Sequence, residues 1–159
     1  MSDAHFHLLV NHFPILVPII GLIIMVGGFI FRSEIVKRTA FVILIGGTFS
    51  TFIADRSGGG AAKQLKGVSG IERQYIKKHA QAADTLVWFA YALGALSVAG
   101  LWANWKRKKY ANTLAVISIL LGAAAFYFGQ RTGTTGGEIR HTEIRADWVP
   151  DSTKTTPGP

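Results

Sequence analysis

Whatever ligand chemistry this sequence can do falls to five histidines: His5, His7, His12, His79 and His141. There is no cysteine, which removes disulfides, thiolate metal sites, iron–sulfur clusters and haem attached through Cys-x-x-Cys-His. The only methionines are Met1 and Met25, and Met25 lies deep in an apolar stretch. Imidazole, the commonest metal ligand and a haem axial ligand, is therefore the one strong ligand type present. Spacing limits which histidines can share an ion. His7 and His12 are five residues apart, about 140° around an ideal helix, so an unbroken helix cannot aim both at one centre. His5 and His12 are seven apart and share a stripe. Pro14 removes a helical hydrogen bond. That predicts a bend or restart near residues 10–13, with the carbonyl near Val10 left without its usual partner and Asn11 free to turn toward it or toward an imidazole.

The elements that must position these side chains are apolar helices. The 159 residues are 49% hydrophobic and 16% charged, below the quarter or so charged in soluble domains. Four apolar stretches stand out, at 13–31, 39–54, 85–105 and 110–129. About 20 apolar residues cross a hydrocarbon core roughly 30 Å thick. Stretches one, three and four meet that length, and the second borrows Arg38 or Asp55 at an interface. None carries the polar stripe of a soluble-bundle helix. The leader before the first stretch has Asp3 and no Lys or Arg, and no small-residue cleavage site follows, so the stretch reads as retained. The expectation is an all-α integral membrane four-helix bundle, up-down-up-down. The transmembrane domain covers 1–145, with a disordered tail over 146–159 and a short separate helix in the 55–84 connection. There, Ser57-Gly-Gly-Gly60 reads as a flexible turn, Ala61–Leu65 as a surface helix and Ile71–His79 as a helical lead-in.

Charge suggests which way the bundle faces. The net charge is +8, and the two tight connections are densely basic: Arg32, Lys37 and Arg38 in one, Lys106-Arg-Lys-Lys109 in the other. Short basic loops are the ones retained in the cytoplasm. Both termini and the long connection then lie outside, although that connection also carries Arg56, Lys63, Lys66, Arg73, Lys77 and Lys78. The basic runs read as topology signals, with neither a lipid nor a nucleic-acid partner of their own; the chain's partner is the lipid bilayer it spans. On this arrangement all five histidines fall on the outer side. A ligand site converging from several chain segments fits that placement. So do interfacial histidines that hydrogen-bond water and headgroups.

The stretch His7-Leu-Leu-Val-Asn-His12-Phe-Pro14 resembles the opening of a bacterial membrane family known as domain of unknown function twenty-two thirty-one. That family opens with two histidines five apart, the second followed by Phe-Pro. Two further parts are similar in order: Leu65 to Ser69 followed by Tyr75-Ile-Lys-Lys-His79-Ala, and Gly136-Gly137 followed by His141. The likeness covers roughly residues 5–145. It departs at Leu8, where a proline often stands, and in the short spacing from Gly137 to His141. The resemblance implies a redox setting in the bacterial cytoplasmic (inner) membrane. It implies b-type haem, one or two groups, and other membrane or periplasmic redox proteins as partners.

On that resemblance His12 and His79 form one axial pair. His7 and His141 form a second pair, or orient the first. Arg56, Arg131 and Arg140 lie on the same side for haem propionates. Trp88, Phe89 and Tyr91 could pack against a macrocycle, or face lipid or the interface as such aromatics commonly do. Six-coordinate iron implies an electron-transfer or accessory subunit rather than a stand-alone enzyme. Two other readings remain. One is a non-redox structural subunit, whose Gly21, Gly27, Gly28, Gly94, Gly100 and Gly122 allow close helix packing. The other is an outer-face copper or zinc site built from three or four histidines. A transporter is disfavoured, since no span carries a charge in its middle third.

Overall fold

A computed structural model describes residues 1–149. Its rods are helical from end to end. α1 (Asp3–Val10) and α2 (Phe13–Ile30) make one rod with a break, and α3 (Glu34–Leu65), α4 (Arg73–Trp105) and α5 (Ala111–Gly137) are the other three. A single 3-10 turn, Thr142–Ile144, follows, and there is no strand among the described residues. All four rods are long and apolar enough to cross a membrane. α2 packs along α3 and α4 along α5, α3 meets α4, and α1 lies on α3. The chain is thus an up-down-up-down four-helix bundle, as its apolar pattern predicts.

The break in the first rod falls where Pro14 puts it. Asn11 and His12 keep right-handed helical angles, but Pro14 has no N–H to meet the Val10 carbonyl, and the ladder restarts at Phe13. α1 is thereby free to lean on α3, where Gln64 Oε1 accepts from the Ala4 N–H at 2.9 Å.

Two boundaries differ from the sequence expectation. Ser57-Gly-Gly-Gly60 is not a turn, and Ala61–Leu65 is not a separate helix; α3 runs unbroken through both. α5 likewise continues eight residues past Gly129 to Gly137. The glycines are spaces for neighbours. A Cβ at Gly60 would meet the Asp3 carboxylate, and one at Gly58 would touch the His7 ring. The true breaks come at Gly67 (φ +85°) and Gly70 (φ +79°), where only glycine is unstrained. The tail expected from Ala146 is held as far as Asp147, whose carboxylate accepts from the Tyr75 hydroxyl at 3.0 Å. Residues 150–159 lie outside the described residues.

The centre is small-residue packing around a few large side chains: Met25, Phe41, Leu44 and Leu93 are fully buried with Ala40 and Ala115. Phe41 lies against Gly100, Leu44 against Gly21 and Leu22 against Gly122, so those glycines do bring helices close. Gly27 does not; nothing faces it. Around this core Ile23, Phe49, Trp88 and Leu120 point outward with well over half their surface exposed, which a hydrocarbon solvent tolerates and water would not.

The bundle is also built twice. Buried positions Ala40, Leu44, Gly47, Thr51 and Ala54 of α3 recur in α5 as Ser118, Gly122, Ala125, Gly129 and Thr132, each 78 residues later. The two tight connections repeat one turn. Ser33 N–H donates to the Gly28 carbonyl and Lys108 N–H to that of Ala103, both at 2.9 Å. Arg32 (φ 49°) and Arg107 (φ 50°) occupy the left-handed position of this helix-ending motif.

Candidate bis-histidine site

At the end of the bundle away from the tight turns, one histidine from each half faces the other. The His7 and His79 rings have their centres 6.5 Å apart, with planes inclined at 72°. His7 stands on α1 and His79 on α4, six residues before the third apolar stretch begins. Each ring is half-buried and lies against the second helix of its own half.

The anchoring is the same twice over. The Nδ1–H of His7 donates to the Ala54 carbonyl at 3.1 Å and to Ser57 Oγ at 2.8 Å. The Nδ1–H of His79 donates to the Thr132 carbonyl at 3.1 Å, with Thr135 Oγ1 at 3.4 Å. A carbonyl can only accept, so Nδ1 carries the proton in both rings, and in the neutral ring Nε2 keeps its lone pair. The hydroxyls agree: Ser57 Oγ already donates to the Ala54 carbonyl and Thr135 Oγ1 to that of Thr132, each at 2.9 Å. Ala54, Ser57 and Gly58 lie at the same 78-residue offset from Thr132, Thr135 and Gly136 as the helices do. A Cβ on Gly58 would stand 3.4 Å from the His7 ring, and one on Gly136 would stand 3.1 Å from that of His79. The glycines are therefore the floors on which the imidazoles rest.

Those six anchoring positions carried a readable signal that type-by-type reading missed. Ser57-Gly58-Gly59 and Thr135-Gly136-Gly137 are two copies of a hydroxyl-Gly-Gly triplet, one in each half.

The other residues singled out in the sequence fall elsewhere. The structure pairs His79 with His7 and not with His12. His12 is exposed at the break, its carbonyl accepting from Ile15 and Leu16, and its side chain caps nothing. His141 does not meet His7 either. It is exposed beyond α5, its Nδ1 2.9 Å from Glu143, whose carboxylate is held below the usual range first by its own backbone N–H and then by His141. His5 is exposed. Asn11 reaches neither a freed carbonyl nor an imidazole, and its Oδ1 is buried without a partner among the described residues. Arg56 is exposed and lies over the Phe52 ring, at 5.2 Å. Arg131, one turn before Thr135, and Arg140 are exposed too. Trp88 points outward, while Phe89 stacks on Phe128 with centres 4.6 Å apart. Among the described residues no three His, Asp or Glu side chains gather as a metal site would need. The three- or four-histidine copper or zinc centre therefore finds no ligand set there.

Polar contacts pin α4 beside this site. Lys78 Nζ donates to Glu138 at 2.6 Å, and Arg145 both pairs with Glu72 at 2.6 Å and stacks on the Tyr75 ring at 3.8 Å. These tie the first turns of α4, and with them His79, to the end of α5.

Two imidazoles on opposite sides of one metal, with metal–nitrogen bonds of about 2.0 Å, place their ring centres about 6 Å apart. The observed ring centres stand 6.5 Å apart, close to that spacing. No known protein family, characterised protein or solved structure matches the chain.

Proposed function

We propose that the protein is a membrane-embedded electron-transfer subunit or anchor that holds b-type haem between His7 and His79. The observation that carries this reading is the proximity of two imidazoles, their ring centres 6.5 Å apart and each anchored through Nδ1, which leaves Nε2 as the nitrogen that would meet a metal. Haem held by these two residues would supply reversible one-electron chemistry. The chain's own residues do the rest. Ala54 and Thr132 hold Nδ1 of each ring, Ser57 adds a second bond to His7, and the glycine floors let the rings approach. The resemblance of the His7–Pro14 opening and the Tyr75–His79 stretch to a bacterial membrane family supports the same reading. Only one pair is assigned, so one haem is proposed.

The basic tight turns support an orientation in which they face the cytoplasm and the histidine pair faces the periplasm of a bacterial inner membrane. A pair at that surface lies within reach of periplasmic or membrane redox partners.

The test is the absorption spectrum of detergent-purified protein from haem-supplied cells, oxidised and then reduced. A sharp b-type α-band is expected, lost in His7→Ala and in His79→Ala and kept in His12→Ala and His141→Ala. A folded, colourless preparation would overturn the proposal. Loss of the band in His12→Ala with retention in His7→Ala would overturn the pairing.

A further inference from the structure

At the opposite end of the bundle lies a second, chemically different place. A cleft of about 570 Å³ opens between the starts of α3 and α5 and the end of α4. Its walls include Arg38, Arg107, Lys108 and Lys109, against a single carboxylate, Glu34. That carboxylate is already engaged by Lys37 Nζ at 2.6 Å and by the Asn104 amide. The cleft thus presents four cations with no free counter-charge of its own.

Part of the cation set is held in place. Arg38 Nε donates to Asn104 Oδ1 at 2.6 Å and Nη2 to the Asn104 carbonyl at 3.3 Å. A guanidinium has five N–H donors, so three remain for a ligand. Asn112, also in the wall, accepts from Lys37 through Oδ1 at 2.6 Å, which leaves its NH2 group as a further donor. Lys108 is braced over the Trp102 ring at 5.7 Å.

The depth of the cleft says where its ligand comes from. Trp102, Trp105 and Tyr110 are exposed around it, the residue types that mark the headgroup level of a bilayer. Ile35, in the wall and largely exposed, offers an apolar side continuous with the lipid-facing helices. Basic pockets at this depth between membrane helices take anionic headgroups. We infer that this cleft binds the phosphate of an anionic phospholipid, with Arg38, Arg107, Lys108 and Lys109 around the headgroup and the acyl chains running down past Ile35.

Native mass spectrometry of the full chain, purified in detergent and offered phosphatidylglycerol or phosphatidylcholine, tests the inference. The wild type should retain phosphatidylglycerol selectively. Arg107→Gly/Lys108→Gln/Lys109→Gln should weaken retention by more than about tenfold. Glycine suits the φ of 50° at position 107, so the turn survives, and Lys108→Gln/Lys109→Gln leaves that backbone position untouched as a second variant. A control that removes three charges elsewhere, Arg32→Gly/Lys63→Gln/Lys66→Gln, should retain the lipid. Equal loss in cleft and control variants would mean diffuse charge attraction and overturn the site. So would equal retention of the two lipids. Displacement of the lipid by millimolar inorganic phosphate would assign the cleft to free phosphate instead and overturn the lipid assignment.

Discussion

The two halves of this bundle solve one problem in the same way at one end and differ at the other. At the histidine end, each half offers a ring from its first rod to a carbonyl, a hydroxyl and a glycine on its second. At the turn end the repeat has diverged. Lys37, almost fully buried between Glu34 and Asn112, has Ala115 as its counterpart 78 residues on. The first turn carries one cation at its tip, whereas the second carries a run of four and borders a cleft. Burying a lysine costs solvation that only paired partners offset. The paired lysine stands in one half alone, with Glu34 and Asn112 as its partners. At the histidine end the two anchorages instead match position for position.

The largest test of this comparison is whether the halves stand the same way up. Both are hairpins whose tight turns lie at one end, so a cysteine at Lys106 and one at Arg32 should behave alike, and one at Ser69 oppositely. With no native cysteine, each single variant reports cleanly. In intact spheroplasts an impermeant thiol reagent should label Ser69→Cys fully and leave Lys106→Cys and Arg32→Cys unlabelled. The reverse pattern would put the histidine pair on the cytoplasmic face. Split labelling of the two turns would break the hairpin equivalence itself.

A smaller effect separates the two glycine floors. Ala is a better helix former than Gly by about 1 kcal/mol, so any penalty must exceed that gain to be seen. At Gly58 the added Cβ meets His7 at ordinary contact distance, 3.4 Å, so Gly58→Ala should hold or raise the melting temperature and keep the α-band. At Gly136 the Cβ would stand 3.1 Å from a His79 ring tied to Thr132, and the ring must give by a few tenths of an ångström. Gly136→Ala should therefore shift or weaken the α-band while Gly58→Ala does not. Identical behaviour of the two would show that the floors are not in contact with the rings in solution.

Much of this was readable in the sequence, and the unread part has a physical reason. Charge-free apolar runs mark the rods, Pro14 marks the break, and basic clusters mark the tight turns. Each is a local signal, carried by a few neighbouring residues. The Ser57–Gly60 run misleads because glycine serves loops and close helix contacts alike. What decides is whether another helix lies opposite, and α1 does. The placement of His7, and not His12, beside His79 is equally non-local. It depends on α1 leaning onto α3 after the break, which carries His7 to Ala54 and leaves His12 at the hinge. Only the repeated hydroxyl-Gly-Gly triplets, one in each half, recorded that arrangement in the chain itself.

Those triplets also set the finest test, the comparison of Ser57→Ala with Thr135→Ala. Ser57 Oγ lies 2.8 Å from His7 Nδ1, a full hydrogen bond, whereas Thr135 Oγ1 lies 3.4 Å from His79 Nδ1, near the limit of one. Both rings keep their carbonyl partner at 3.1 Å when the hydroxyl is lost, so neither variant changes the tautomer or empties the site. Removing a neutral hydrogen bond of normal length costs about 0.5–1.5 kcal/mol. Ser57→Ala should lower the melting temperature of the detergent-solubilised protein measurably and broaden the α-band as the His7 ring gains freedom. Thr135→Ala loses little at the ring, and its own donation to the Thr132 carbonyl competes with the helix ladder, so its effect should be the smaller of the two. A larger effect from Thr135→Ala would mean that the halves grip their histidines in the opposite order to the observed distances.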